Sequence, residues 1–135
     1  LWEGVLLEGA VRLRPNIRTL FETLDERGIL LSVASKNSHE DALGKLREYG
    51  LEEFLVFPTI GWQPKSDMVR AIAKQIGIGL DSLIFVDDNA FERDQVSRSL
   101  ELVEVLADDA LGSLAEHPRL RGSTTAEARA RRLMY

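Results

Sequence analysis

The sequence predicts an α/β fold in which a parallel sheet carries helices on both faces. Segments with helical periodicity alternate along the chain with short apolar runs of strand length. The runs at 29–34 and 83–86 are almost unbroken, which is typical of strands buried on both faces of a parallel sheet. Because consecutive parallel strands need a crossover connection, the helices are expected to lie between them in right-handed units.

The first 50 residues are predicted to hold two helices and one strand. The first helix has Pro15 in its first turn and ends before Gly28. Its apolar face consists of Ile17, Leu20, Phe21 and Leu24. The strand at 29–34 follows. Ser38 then starts a second helix, as a capping residue with Asp41 three positions later, and Gly50 ends this helix.

The rest of the chain is predicted to continue the alternation. Its strands occupy 55–57, 83–86 and 102–106. Ser66 is predicted to cap a helix that ends at Gly77. The helix between the last two strands has an apolar face of Phe91, Val96 and Leu100. Thr124 and Glu127 have the spacing of a capping box and indicate a C-terminal helix.

Length and charge indicate one compact domain over residues 1–118, followed by a basic tail over residues 119–135. The tail holds five arginines and one acid, whereas the rest of the chain holds 12 basic and 21 acidic residues. An acidic body argues against nucleic acid as the partner. The tail is expected to be a solvated helix face, with binding to an acidic surface as the alternative.

Other classes of protein are excluded by what the sequence lacks. No apolar stretch reaches the roughly 20 residues that cross a membrane, so no membrane partner is expected. The absence of cysteine excludes disulfides and thiolate metal sites, and it fits a cytoplasmic location. The chain begins with Leu1-Trp2 rather than methionine, and we expect it to be an excerpt of a longer protein. Nothing in it indicates an oligomeric state.

Three polar groups follow predicted strands, where ligands collect in such sheets. The most informative is the pair Asp87-Asp88, since adjacent carboxylates at a strand end repel unless a proton, a cation or a hard metal such as Mg²⁺ relieves them. The alternative is that Asp88 or Asn89 only caps the next helix. Ser35 and Asn37 follow the first strand and could equally be turn residues.

Lys65 is the third group, and by itself it could be a solvated lysine at a helix start. Its charge there opposes the positive end of the helix dipole, which a phosphate oxygen would compensate. Taken together, a hydroxyl, an ammonium and two carboxylates at one sheet edge complement a phosphoryl group with its Mg²⁺. His39 and His117 are the histidines, and the remote position of His117 argues against a histidine-based triad.

The sequence resembles the haloacid dehalogenase (HAD) superfamily, and within it the FkbH-like group, phosphatase subfamily IIIC. The resemblance covers most of the chain, and it lies in LWEGVLLEG (1–9), RGILLSVASKN (27–37), WQPKS (62–66), IGLDSLIFVDDNAFER (78–93) and, more weakly, RRLMY (131–135). It implies a Rossmann-like parallel sheet without a large cap domain. It also implies a Mg²⁺-dependent phosphohydrolase or phosphotransferase that acts on a phosphorylated small molecule through an aspartyl-phosphate.

The resemblance assigns roles to individual residues. Ser35 corresponds to a donor to phosphate oxygens, and Lys65 to the cation that stabilises the reacting phosphoryl group, so these two are the candidate catalytic residues. Asp88 corresponds to a Mg²⁺ ligand that Asp87 supports. Asn37 and Arg93 correspond to residues that back up the site, with Asn37 near the substrate. FkbH-like proteins are associated with loading a glyceryl unit onto an acyl carrier protein for polyketide and other secondary metabolites.

One part of the HAD pattern is missing. The family's Asp-x-Asp-x-Thr motif, which supplies the nucleophile, would stand just before Leu1, so the chain is expected to lack the first and central strand of the sheet and to be inactive alone. The segment from Glu3 to Arg14 is expected to form a small flap. A catalytically inactive scaffold or interaction domain is therefore the alternative. A receiver domain is disfavoured because its acid pair comes early, whereas here the order is Ser35, Lys65, Asp87-Asp88.

Overall fold

A computed structural model describes residues 4–7, 17–36, 44, 47–48, 50–122 and 125–135, with residues 4–7, 35 and 36 described by their backbone. Within these residues the chain forms a five-stranded parallel sheet in the order β3-β2-β1-β4-β5. The strands are β1 (Gly4–Leu7), β2 (Leu30–Lys36), β3 (Thr59–Gly61), β4 (Leu83–Asp87) and β5 (Glu104–Ala107). The predicted parallel α/β fold is confirmed.

Helices cover both faces of this sheet. They are α1 (Ile17–Glu26), α2 (Lys65–Ile76), α3 (Ala90–Ser99) and α4 (Ala126–Arg129), with short 3-10 segments between them. Because side chains alternate along a strand, Leu31 and Ile84 pack in the core on the side of α1, whereas Leu30 and Phe85 pack in the core on the side of α2 and α3. Among the described residues, no helix is long and apolar enough to span a membrane.

The centre of the sheet differs from the expectation. Instead of lacking its central strand, the sheet has β1 between β2 and β4, with Leu7 opposite both Val33 and Val86. Gly4–Leu7 is therefore a strand rather than part of a flap. The physical reason is that β2 and β4 are apolar strands whose inner backbone groups need partners, and the short apolar run at 5–7 supplies them.

Two other boundaries are also corrected. The third strand lies at Thr59–Gly61, beyond the predicted 55–57, because Phe57 has a positive φ of 48° and breaks the extended run. Leu55 makes only an isolated bridge with Leu31. Ser66 does not cap α2: the helix starts at Lys65 with Pro64 as the N-cap residue, so Ser66 lies in its first turn.

Some predicted boundaries are reproduced, and others fall outside the description. Helices α1 and α2 are followed by glycines in the left-handed region, with φ of 80° at Gly28 and 85° at Gly77. The last strand begins at Glu104, two residues later than predicted. Among the residues that the sequence predicts at helix starts, Pro15, Ser38, Asp41 and Thr124 lie outside the described residues, as does His39. Thr125, next to Thr124, caps α4 by accepting a hydrogen bond from Ala128 N at 3.1 Å.

The basic C-terminal segment packs on the body of the protein and is not simply a solvated helix face. Arg132 Nε lies 2.9 Å from Asp25 Oδ1 at the end of α1, and Arg131 Nη1 donates to Gly28 O at 3.2 Å. Ala128 is buried, and Leu120 belongs to the hydrophobic core. The arginines thus meet acidic and carbonyl oxygens of the same chain, which is the complementarity that the uneven charge distribution allows.

We predict that Gly28→Ala destabilises the protein by about 2–4 kcal/mol, from the strain of a positive φ and from overpacking. A Cβ at Gly28 would lie 3.1 Å from Ala128 Cβ and 3.2 Å from Ala128 O, so α4 would have to move. Gly77→Ala is the matched control, because its φ is also positive but an added Cβ would meet no atom of the described residues within 4 Å, its two chain neighbours aside. Denaturant unfolding should show a loss of about 1 kcal/mol for the control. Equal losses in the two variants would contradict the contact with α4.

Candidate functional site

The candidate site lies at the carboxyl edge of the sheet, around the end of β4. Because β1 is paired as far as Leu7, opposite Val33 and Val86, both Ser35 and Asp87 lie beyond that pairing. The strands that carry them, β2 and β4, flank β1. The axes of β2 and β4 are therefore two interstrand spacings apart, about 10 Å. This edge is where parallel α/β sheets bind ligands.

A buried ion pair connects α2 to the end of β4. Lys65 Nζ lies 2.9 Å from Asp87 Oδ2, with the Lys65 side chain 2% exposed and the Asp87 side chain 0% exposed. The ammonium also lies 5.8 Å from the centre of the Phe85 ring. Lys65 is the first residue of α2, where the helix dipole disfavours a cation. In this structure Asp87 provides the compensating negative charge that the sequence suggested a phosphate would provide.

Asp87 is held on several sides. Its Oδ1 accepts a hydrogen bond from Asn89 N at 2.9 Å, and its backbone carbonyl accepts one from Arg93 Nη1 at 3.0 Å. Both carboxylate oxygens are therefore engaged by groups of the chain itself. Arg93, which the resemblance placed in support of the site, supports it here through the main chain of Asp87.

Asp88 has a different environment from Asp87. The residue as a whole is exposed, but its carboxyl is partly desolvated. This desolvation, together with the hydrogen bond and negative charge of Asp87, raises the pKa of Asp88 above its ordinary value. The folded chain thus binds a proton at Asp88 more tightly than the unfolded chain, so the ionised carboxyl at neutral pH is a cost to stability. A bound cation would remove this cost, as the sequence suggested for the acid pair.

Asp108 is a further acid at this edge, and it is not among the site residues predicted from the sequence. It follows β5 directly, and its negative charge contributes to the raised pKa of Asp88. The signal that could have found it is the one that singled out Asp87, namely an acid immediately after a strand of the parallel sheet. Asp88 therefore faces negative charge from the ends of two neighbouring strands.

The capping alternative for this segment is confirmed for one residue. Asn89 is the N-cap of α3, since its side chain accepts a hydrogen bond from Glu92 N at 3.1 Å. Because Asn89 fills this role, Asp88 is not needed for it. The acid pair therefore has no capping function, and the reason for two adjacent carboxylates must be sought in the site itself.

The structure brings together part of the predicted site. Lys65 and Asp87 are in contact, and Asp88 is adjacent. The backbone of Ser35 lies in β2 opposite Ile60, whereas its side chain and the whole of Asn37 lie outside the described part of the chain.

The acid pair fits a divalent cation in one particular way. Among the described residues, no group of three His, Cys, Asp or Glu side chains converges to hold a metal ion. Mg²⁺, however, is commonly bound by one or two carboxylates and several waters. Asp88, with its raised pKa, is suited to act as such a ligand. Asp87 is suited to support it, because its oxygens already bind Lys65 and Asn89.

A second polar cluster lies away from this site, at the amino end of β5. Glu104 accepts from His117 Nε2 at 2.7 Å and from Arg119 Nη1 at 2.9 Å. Burial opposes ionisation of Glu104, but the hydrogen bonds and charges of His117 and Arg119 outweigh it and lower the pKa of Glu104. This cluster ties the C-terminal segment to the edge strand, so its role is structural. Because it lies at the opposite end of the sheet, His117 does not form a triad with the acid pair.

Comparison with known proteins supports the fold. No family model matches the chain, and no curated protein matches it significantly. Among solved structures, the N-terminal part of the protein BF1531 from Bacteroides fragilis, described as containing a phosphatase domain complexed with Mg, is similar with a TM-score of 0.59 and 24% identity. The match covers 93% of this chain and 42% of that one, so this chain spans less than half of its length.

A second similar structure is an uncharacterised protein from Corynebacterium glutamicum. Its TM-score is 0.60 at 14% identity, over 84% of this chain and 93% of that one. At these identities the likeness concerns the fold. The chain thus shares its parallel α/β architecture with a protein that contains a phosphatase domain.

Proposed function

We propose that the protein carrying this chain is a Mg²⁺-dependent phosphohydrolase or phosphotransferase of the HAD type. The observation that supports this most is the buried pair of Lys65 and Asp87 beside Asp88, whose pKa is raised by partial burial and by the neighbouring acids, at the carboxyl edge of a parallel sheet. The similarity to a phosphatase-containing protein that was crystallised with Mg adds independent support. A phosphorylated small molecule is the proposed substrate class.

In this proposal each residue acts through its own chemistry. The Lys65 ammonium has three N–H donors, of which one binds Asp87, so the others can donate to phosphate oxygens. Ser35, and Asn37 after it, would contribute further donors from the end of β2. Asp88 would ligate Mg²⁺ and Asp87 would position Lys65. Mg²⁺, when bound, neutralises charge on the phosphoryl group and permits a dianion beside the acids.

The proposed nucleophile is an aspartate encoded just upstream of Leu1, in an Asp-x-Asp-x-Thr segment. By the resemblance, the strand that carries this motif belongs at the centre of the sheet, where β1 lies in this structure. We therefore expect the upstream strand and Gly4–Leu7 to compete for one place. The residues encoded before Leu1 are a direct check, because the absence of such a motif would remove the proposed nucleophile.

A finer proposal is that the reaction serves FkbH-like loading of a glyceryl unit onto an acyl carrier protein in cytoplasmic secondary metabolism. Its support is the resemblance in the blocks that contain Ser35, Lys65 and Asp87-Asp88.

A catalytically inactive scaffold is the second candidate. What favours it is that Lys65 and Asp87 satisfy each other without a ligand, and that the described residues contain no group of three metal-ligating side chains. A scaffold would keep the buried ion pair for stability alone. It would show neither Mg²⁺-dependent stabilisation nor turnover.

We predict that Asp88→Asn abolishes Mg²⁺-dependent activity in the complete protein, lowering phosphatase turnover of an aryl phosphate by at least about 100-fold. The carboxylate ligand is lost while the side-chain volume is kept. Mg²⁺ at ten times its dissociation constant should raise the stability of the wild type by about 1.4 kcal/mol, and that of the variant much less. Thermal unfolding with and without Mg²⁺ measures this.

The matched control is Asp94→Asn, which changes a carboxylate on α3 that is 57% exposed and paired with Arg98. This change should leave activity and Mg²⁺ response as in the wild type, because exposed pairs contribute little. If the wild type has no Mg²⁺-dependent turnover and no Mg²⁺-induced stabilisation, the scaffold function replaces the enzyme. If Asp88→Asn keeps both, the metal assignment is wrong.

A further inference from the structure

The first turn of α2 lacks a cap of its own. Pro64, its N-cap residue, has no side chain that can accept a hydrogen bond, and its carbonyl accepts from Asp67 N at 3.0 Å and Met68 N at 3.2 Å. The N–H of Ser66 has no partner within the helix, as expected for the first turn. It donates instead to Gln95 Oε1 on α3, at 3.1 Å.

Gln95 binds Ser66 at two points. Besides accepting from the Ser66 backbone, its amide Nε2 donates to Ser66 Oγ at 2.7 Å and to Ser99 Oγ at 3.3 Å. Ser66 is 4% exposed, so its two bonds with Gln95 are partly shielded from water, whereas the bond to Ser99 is exposed. The Gln95 side-chain amide on α3 thus replaces the missing cap of α2, and it holds Ser66, the residue that directly follows Lys65.

The same helix also holds the other half of the ion pair. Arg93 Nη1 on α3 donates to the backbone carbonyl of Asp87 at 3.0 Å. Two side chains of α3, two residues apart, therefore set the positions of the backbone segments that carry the lysine and the aspartate. The short distance of 2.9 Å between Lys65 Nζ and Asp87 Oδ2 depends on both segments being placed correctly.

We infer that Gln95 is a positioning residue for Lys65. By capping Ser66 from α3, it fixes the first turn of α2 and hence the place of the Lys65 ammonium at the carboxyl edge of the sheet. The effect of Gln95 on turnover rests on the function proposed above, whereas its effect on the position of Lys65 does not. Misplacement of a catalytic group by about 1 Å can cost on the order of 100-fold in rate, so this cap matters for chemistry as well as for the helix.

The first arm of the test measures the burial of Lys65 directly in the complete protein. Acetic anhydride labels free amines, and mass spectrometry compares Lys65 with Lys74, an exposed lysine on the same helix. Gln95→Ala should raise the labelling rate of Lys65 relative to Lys74 about tenfold, the equivalent of one lost buried hydrogen bond. Gln95→Glu keeps the acceptor for Ser66 N–H and should stay within about twofold of the wild type.

Gln75→Ala is the matched control, since Gln75 is exposed on the last turn of α2. It should leave the labelling of Lys65 unchanged. Ser66→Ala, which keeps the backbone donor and removes only the hydroxyl, is a milder variant and should raise Lys65 labelling about threefold. It decides the question if Gln95→Ala unfolds, which equal labelling of Lys65 and Lys74 would reveal.

The second arm measures kcat and KM for an aryl phosphate with Mg²⁺. Gln95→Ala should lower kcat about tenfold with KM nearly unchanged, because a displaced Lys65 affects the reacting phosphoryl group more than substrate capture, and Gln95→Glu should restore kcat. If neither the wild type nor any variant hydrolyses the aryl phosphate, the proposed function fails. The labelling arm then still shows whether Gln95 positions Lys65. The inference is overturned if the folded variants Gln95→Ala and Ser66→Ala label Lys65 at the wild-type rate. It is also overturned if Lys65 in Gln95→Glu is labelled as fast as in Gln95→Ala.

Discussion

Replacing Lys65 with Met is expected to lower the free energy of unfolding by about 3–5 kcal/mol, the largest loss that we predict for a single residue of the site. The variant leaves the Asp87 carboxylate, which is 0% exposed, without the ammonium 2.9 Å away. The hydrogen bond from Asn89 N would remain, but it carries no full positive charge. Denaturant unfolding followed by circular dichroism measures the loss.

A second change should reverse most of this effect. In the double variant Lys65→Met with Asp87→Asn, the buried charge is gone, so the loss should fall to about 1–2 kcal/mol. Lys74→Met on the same helix is the control, since Lys74 is exposed and its loss should stay within about 0.5 kcal/mol. A Lys65→Met variant as stable as this control would show that the ion pair is not buried as the structure has it.

Phe85→Ala is expected to cost about 3–5 kcal/mol, because it opens a cavity in the middle of the sheet. Phe85 is 0% exposed on β4, in the core beside Met68 and Ile72 of α2. Its ring also lies under the Lys65 ammonium, 5.8 Å from its centre to Nζ, so the loss of packing reaches the site. Thermal and denaturant unfolding should agree on the size of the loss.

The same substitution at Phe91 is the matched control. Phe91 is 75% exposed at the start of α3, and its replacement by Ala should change stability by no more than about 0.5 kcal/mol. A large loss at Phe91 would mean that this ring is covered by a part of the protein outside the described residues. A small loss at Phe85 would contradict the position of β4 in the core.

Much of the fold could be predicted because its signals are local. The apolar runs around Leu31 and Phe85 are strands since no other element of that length buries so many aliphatic side chains. Gly28 and Gly77 end helices because both need a positive φ. Asn89 could be predicted as a capping residue because this signal is also local: its partner Glu92 is only three positions away.

Predictions that depended on distant segments were incomplete or wrong. The strand at 55–57 was misplaced because the positive φ of Phe57 and the pairing of Thr59–Gly61 with β2 depend on the whole edge of the sheet. The resemblance predicts a sheet without its central strand, yet Gly4–Leu7 lies at that place. The sequence predicts Ser66 as the cap of α2, whereas the cap comes from Gln95, 29 positions along the chain.

By itself, the sequence determined the parallel α/β class, the glycines that follow α1 and α2, Lys65 near a helix start and Asp87-Asp88 at a strand end, since these follow from periodicity and from the residue types that turns require. Only the tertiary structure decided which acid Lys65 neutralises, which acid has a raised pKa, and how α3 holds both partners. The physical reason is that burial and pairing of charges depend on groups far apart in the chain, which meet only when the sheet and its helices pack together.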